Sequence, residues 1–261
     1  MALFFHELKQ NRLALIVWTA ILSFVLAISI FIFPEMSEQM GELNDMFSQM
    51  GSFSDAFGMT DLNFSEFIGY FGIECGNSLG LGAAFFAAIL GASALAKEEK
   101  DGTAEFLLAH PISRASVAAQ KLLALITELL ILDIVVLAVC VGSAAAIGET
   151  DDIAKMVLIL LSQLLVQLEI ATVTFCISAF IRRGGLGIGL GVAAVFYFLN
   201  ILANIDESIE FLKYLTPFSL TDSAYIIEHS HLHPAYVATS AAVSVATVVA
   251  AFLQYMKKDI L

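Results

Sequence analysis

Four acidic residues, Glu74, Glu128, Asp133 and Glu169, lie inside runs that are otherwise apolar. A carboxyl group at such a place is costly, and it serves either to line a path for ions or cargo or to bond a neighbouring helix. No basic residue falls at comparable depth, so Asn77, Gln163, Gln167 and Asn200 are the candidate partners for the second role. His229, His231 and His233 alternate beside Glu228. Extended backbone would put all three on one side, a geometry suited to a transition metal, whereas an irregular solvated segment before Pro234 would not. Gly76-Asn77-Ser78-Leu79-Gly80 matches the nucleophile elbow of hydrolases, but that elbow needs a strand-to-helix turn and this copy sits in an apolar run. Neither a Gly-x-x-x-x-Gly-Lys-[Ser/Thr] phosphate loop nor a His-Glu-x-x-His zinc motif occurs. The chain is therefore not expected to hydrolyse ATP by itself, to be an enzyme, or to hold a cofactor of its own.

The elements that carry these residues follow from composition. The chain is 59% hydrophobic and 14% charged, far from the balance of a soluble domain. Six stretches, approximately 13–33, 66–96, 122–147, 153–181, 185–203 and 236–256, are long enough to cross hydrocarbon as helices. They do not alternate as barrel strands do. The expected fold is an all-α polytopic membrane protein, one domain over 1–261, with the lipid bilayer as its solvent and nucleic acid not among its partners.

Basic residues give the orientation. Lys9, Arg12, Lys97, Lys100, Arg114, Lys121, Arg182, Arg183, Lys257 and Lys258 all fall on one side, with only Lys155 and Lys213 on the other. Both termini are thus expected in the cytoplasm. The net charge of −13 is concentrated in the outer loops, where it serves solvation or attracts cationic ligands. The first span is read as retained rather than cleaved, since no convincing small-residue site precedes Pro34. Cys75, Cys140 and Cys176 fall inside spans, which argues against a disulfide framework.

Residues 2–12 can form a short amphipathic interfacial helix, with Phe4, Phe5 and Leu8 on one face and His6, Glu7 and Gln10 on the other. The first turns of span one are the overlapping alternative. In the first outer loop, Met36, Met40, Leu43, Phe47 and Met50 recur at helical spacing and Gly51 supplies a stop. Gly72, Gly76 and Gly80 form a smooth stripe, and span five opens on a second glycine-rich region; close helix packing and flexing during a transport cycle both fit.

One charged stretch, Lys97 to Arg114, interrupts the apolar runs. Asp101-Gly102 signals a turn, Thr103 can cap a helix, and Glu105 would sit in its first turn. Pro111 ends that helix after Phe106, Leu107 and Leu108, and Ser113 can cap the next. A helix this short is unstable alone and must be held by packing. It either closes the hairpin at the membrane surface or docks a soluble protein.

The pattern Glu99, Gly102-Thr103, Glu105, Leu107-Leu108, Pro111, Ser113-Arg114 and Lys121 resembles the cytoplasmic signature of ABC-2 type transporter permeases. Asn11-Arg12 running into a span with Trp18, and Tyr214-Leu-Thr-Pro-Phe-Ser219 in the last outer loop, agree with it. The resemblance implies that the short helix is a coupling helix seated in a groove of a separate ABC ATPase subunit. Glu99, Gly102, Thr103, Glu105, Phe106, Leu107, Leu108, Pro111 and Arg114 then become ATPase-coupling residues. Phe106 is bulkier than the leucine common in the family. The resemblance further implies a multi-pass cell-membrane exporter, bacterial or archaeal, of an amphipathic compound such as an antimicrobial peptide, drug or lipid-like molecule. A second permease subunit, identical or related, is implied beside it, with ATP and Mg bound by the partner ATPase. Two other readings compete: an ion-coupled secondary transporter using Glu74, Asp133 and Glu169, and a non-transporting sensor or scaffold.

Overall fold

Backbone in hydrocarbon must satisfy its own N–H and C=O groups, and this chain does so with helices alone among the described residues. The computed structural model describes residues 2–49, 51–59, 62–104, 112–182 and 185–258, the side chains of 38–49 and 207 excepted. Helix α1 spans Ala2–Gln49, α2 Ser52–Ala56 and α3 Phe67–Glu74. A five-residue π turn, Cys75–Leu79, joins α3 to α4 (Gly80–Ala94), and α5 follows at Lys97–Lys100. The long helices α6 (Arg114–Ile147), α7 (Ile153–Phe180) and α8 (Gly185–Ile205) come next. Two 3-10 segments, Glu207–Tyr214 and Pro217–Thr221, lead into α9 (Ser223–His229) and α10 (Pro234–Lys257).

Six segments among the described residues are long and apolar enough to cross a membrane: Ala2–Ser37, Phe67–Ala94, Arg114–Ile147, Ile153–Phe180, Gly185–Ile205 and Pro234–Lys257. They coincide with the six expected runs. Their burial sorts them into centre and periphery. In Phe67–Ala94 and Ile153–Phe180, 61% of the most apolar stretch is buried, against 17% in Gly185–Ile205 and 11% in Pro234–Lys257. The α4 and α7 helices therefore form the centre, with α1 and α6 packed together and α8 and α10 outside.

Small residues set the closest approaches, as expected in lipid where packing replaces the hydrophobic drive. A Cβ built on Gly91 would lie 2.2 Å from Thr174 Oγ1 and 2.5 Å from Ala171 O, so α4 and α7 touch backbone to backbone there. Gly189 does the same for α8, at 2.6 Å from Ala88 O. The expected stripe of Gly72, Gly76 and Gly80 is only partly a packing surface. A Cβ on Gly72 would lie 2.8 Å from Ser223 Cβ and one on Gly80 3.2 Å from Gln163 Oε1, while Gly76 faces open space.

Several local expectations meet the structure directly. The helix begun in span one runs on to Gln49, and Gly51 then turns the chain with φ 51°. The outer segments are helical, as α2, the 3-10 pieces and α9. The side chains of Met40, Leu43 and Phe47, and all of Met50, lie outside the described residues. A separate amphipathic interfacial helix at 2–12 is not what the chain builds. These residues are the unbroken first turns of α1, and Glu7, expected on a solvated face, is buried at 6% exposure because two lysines meet it there.

Candidate functional site

The charged insert is rooted in a buried ion-pair cluster at the basic end of the bundle. Lys121 lies on α6 among Val117, Ala118 and Leu125, its neighbours one turn away and all buried. Its side chain is 1% exposed, so each ammonium proton must find an acceptor. Glu7 Oε1 accepts at 3.0 Å, Ala94 O at 2.7 Å and Glu98 Oε1 at 2.5 Å. One nitrogen thus ties α1, the end of α4 and the start of the insert to α6. Lys97 completes the group, with Glu7 Oε2 at 3.4 Å and Gln10 Oε1 at 2.5 Å.

A second strut joins the same insert to the end of α10. Lys258 Nζ lies 2.6 Å from Glu99 Oε1 and donates to Ile181 O at 2.8 Å, with both side chains buried. Arg114, the first residue of α6, donates in turn to Lys258 O at 2.5 Å and Met256 O at 3.4 Å. Adjacent glutamates of α5, Glu98 and Glu99, therefore reach two different helices, α6 and the end of α10. Gly102 takes φ 68° in the expected Asp101-Gly102 turn, and the Ser113 hydroxyl caps α6 by accepting from Ser116 N.

Of the coupling residues expected from sequence, Glu99, Gly102, Thr103 and Arg114 sit at this root. Glu105, Phe106, Leu107, Leu108 and Pro111 lie outside the described residues. Glu7, Glu98, Lys97, Lys121 and Lys258 were not expected as site residues. A lysine at position 121, one turn from apolar residues in both directions, was the available signal, since such a charge must have a buried partner.

The four acids within the spans each meet a different neighbour. Glu128 accepts from Asn11 Nδ2 at 3.1 and 3.2 Å, in a cavity of about 130 Å³ that Glu7, Lys97 and Lys121 also line. Asp133 accepts from Gln167 Nε2 at 3.0 Å, the one pairing named among the expected partners. Glu74 accepts from Ser29 Oγ at 3.3 Å, at the edge of the π turn. Glu169 lines a small cleft with Ser240 and Tyr236, and its Oε2 has no hydrogen-bond partner among the described residues. Among the described residues no hydrogen bond or salt bridge joins any two of these acids.

The three histidines do not line up either. Ser230 turns the chain with φ 55°, which breaks the extended backbone that would have aligned them. Their rings gather on Tyr225 instead: His229 stacks on it at 4.2 Å, and His231 Nε2 lies 3.2 Å from its hydroxyl. Among the described residues no group of three or more His, Cys, Asp or Glu side chains could hold a metal ion. The hydrolase-like Gly76–Gly80 motif falls in the π turn of a helical span, without the strand its chemistry requires.

The family model described as "Multidrug efflux system permease Rv1217c, C-terminal domain" matches residues 6–255. No curated protein matches the chain. The ion-pair cluster gives a direct stability test. Replacing Lys121 alone by Met leaves Glu7 and Glu98 buried without their shared counter-charge, at an expected cost of about 3–5 kcal/mol. Denaturant unfolding in detergent micelles measures this, and a loss below about 1 kcal/mol would place the cluster with solvated surface pairs instead.

Proposed function

The chain belongs to this family of multidrug efflux permease domains, over nearly its whole length, and on that premise we propose that it is the membrane subunit of an ATP-driven exporter. A separate ABC ATPase subunit docks on the insert between Lys97 and Arg114 and supplies the ATP and Mg. Both termini and the insert face the cytoplasm, in the cell membrane. The exported compound is amphipathic, and a second permease subunit stands beside this one. The apolar faces of α8 and α10, largely uncovered within the chain, support lipid or that second subunit as their neighbour.

The observation that carries the reading is the root of the insert. Glu98 and Glu99 are ion-paired to Lys121 and Lys258, and Lys121 also holds Glu7. A body pushing on the insert therefore pushes on α1, α6 and α10 together. A turn that merely closed a hairpin would need no such bracing. Carried over from the family likeness, Phe106, Leu107 and Leu108 supply the apolar contact with the ATPase, and Glu105 and Pro111 shape the helix that presents them. Glu74 and Glu169 are the acids assigned to the cargo path, Glu74 because it adjoins the π turn and Glu169 because it lines a cleft with Ser240 and Tyr236. Asp133 and Glu128, held by Gln167 and Asn11, take structural roles.

Two experiments follow. Co-expression of the chain with an ABC ATPase, followed by co-purification, should give a complex whose ATP hydrolysis responds to transported compound. The double change Phe106→Glu and Leu107→Glu should abolish both the complex and the response; an intact, responsive complex would remove the docking assignment. In the same complex, Glu74→Gln or Glu169→Gln should lower ATP-dependent transport into inverted vesicles while the ATPase remains bound. Unchanged transport in both would return these acids to helix packing.

A further inference from the structure

The end of the bundle opposite the ion-paired root holds a cavity of about 220 Å³. The α2 segment bounds it on one side and the π turn on another, and Asn204 Nδ2 reaches Ala56 O at 3.5 Å across the rim. Pockets for drug-sized ligands run to about 300–1,000 Å³, so this one suits a single ring or headgroup rather than a whole amphipathic molecule. The π turn itself is a feature that recurs at functional sites.

The chemistry of the wall is specific. Three carboxamides line it, Asn77 from the π turn and Asn200 and Asn204 one turn apart on α8. Among the described residues the side chains of Asn77 and Asn200 have no hydrogen-bond partner, although both are half-buried. The charged side chains of the wall each have a partner, although that of Asp222 is a backbone N–H rather than a cation. Asp222 Oδ1 accepts from Tyr225 N at 3.0 Å, Lys213 pairs with Glu210 at 3.3 Å, and Asp55 also has a partner. The two free carboxamides are neutral, and each offers donors and an acceptor together, beside the second carboxylate oxygen of Asp222, which can only accept. The rings of Tyr197, Phe218 and Tyr236 complete the wall, with Tyr197 and Phe218 edge to face at 5.4 Å.

A ligand that matches this wall presents hydroxyl groups, which donate and accept at one atom, around a ring with C–H faces for the aromatic side chains. Asp222, a wall carboxylate with no cationic partner among the described residues, spends one oxygen on capping α9 and leaves the other as an acceptor for a hydroxyl, while Lys213 is already paired and so does not favour an anion. We propose that the outer cavity is a saccharide-binding site, taking a polyhydroxylated ring that is free or carried as the headgroup of a glycolipid. The site does not depend on the ATPase and stands apart from the export reading.

The test uses the full chain in phosphatidylcholine nanodiscs. Maltose binding is measured by isothermal titration calorimetry, and retention of diglucosyldiacylglycerol, against plain diacylglycerol, by native mass spectrometry. Saturable binding is expected in at least one arm: maltose alone identifies a free saccharide, and glycolipid alone a lipid-borne one. Asn200→Ala and, separately, Asn77→Ala should each weaken it about tenfold, the loss of one good hydrogen bond. Neither side chain has a partner to lose, so the thermal midpoint should hold, and either variant suffices if the other fails to fold. Absence of saturable binding in both arms overturns the proposal. So does equal binding by the wild type and both variants, or binding of tetraethylammonium in place of saccharide.

Discussion

A buried ammonium group must be met by acceptors on every proton, and Lys121 imposes that condition on the basic end of this protein. Its three acceptors come from three places in the chain: the start of α1, the last turn of α4 and the first acidic residue of α5. Helices that lipid alone would let slide are pinned in register by that one nitrogen. The Glu99–Lys258 pair extends the constraint to the last span. Removing one partner leaves the others charged and buried, so the cluster holds or fails as a unit.

The opposite end is built differently. Short helices and 3-10 turns bound an open cavity, and the second apolar run passes it through its π turn. One end is braced by charge and the other is roomy, lined by neutral amides and rings. That asymmetry suits a machine driven from one side and loaded or emptied at the other. The intramembrane acids lie between these ends as separate points, each answered by its own amide or hydroxyl where it is answered at all.

Much of the fold was legible because lipid imposes simple rules. Run length gave six spans, Ser113 announced the start of α6, Asp101-Gly102 its turn, and Gly51 the end of α1. The bond between Asp133 and Gln167 was foreseeable, since a buried acid seeks an amide. What escaped depends on contacts between distant residues or on backbone detail. Glu7 looked solvent-facing on a helical wheel, and only the meeting of α1 with α6 reveals its lysine. Asn11 and Glu128 bond across more than a hundred residues, a distance no local pattern spans. A π turn changes the ladder without changing composition, so Gly76 read as packing surface although it faces open space. Of the two readings of the histidines, aligned or irregular, the left-handed turn at Ser230 gives the second, a backbone detail that composition does not carry.

The central claim is that force applied at the insert crosses the bundle as motion of whole spans. Spin labels at Lys100→Cys and Thr150→Cys, both exposed and at the two ends of the hairpin that α6 completes, read that motion by double electron–electron resonance. In the complex with the proposed ATPase subunit, ATP trapping should shift the label-to-label distance distribution in an otherwise unaltered chain, and the shift should vanish once Lys121 is replaced by Met. An equal shift in both proteins would contradict the account, because motion would then reach the far end without the ion-paired root.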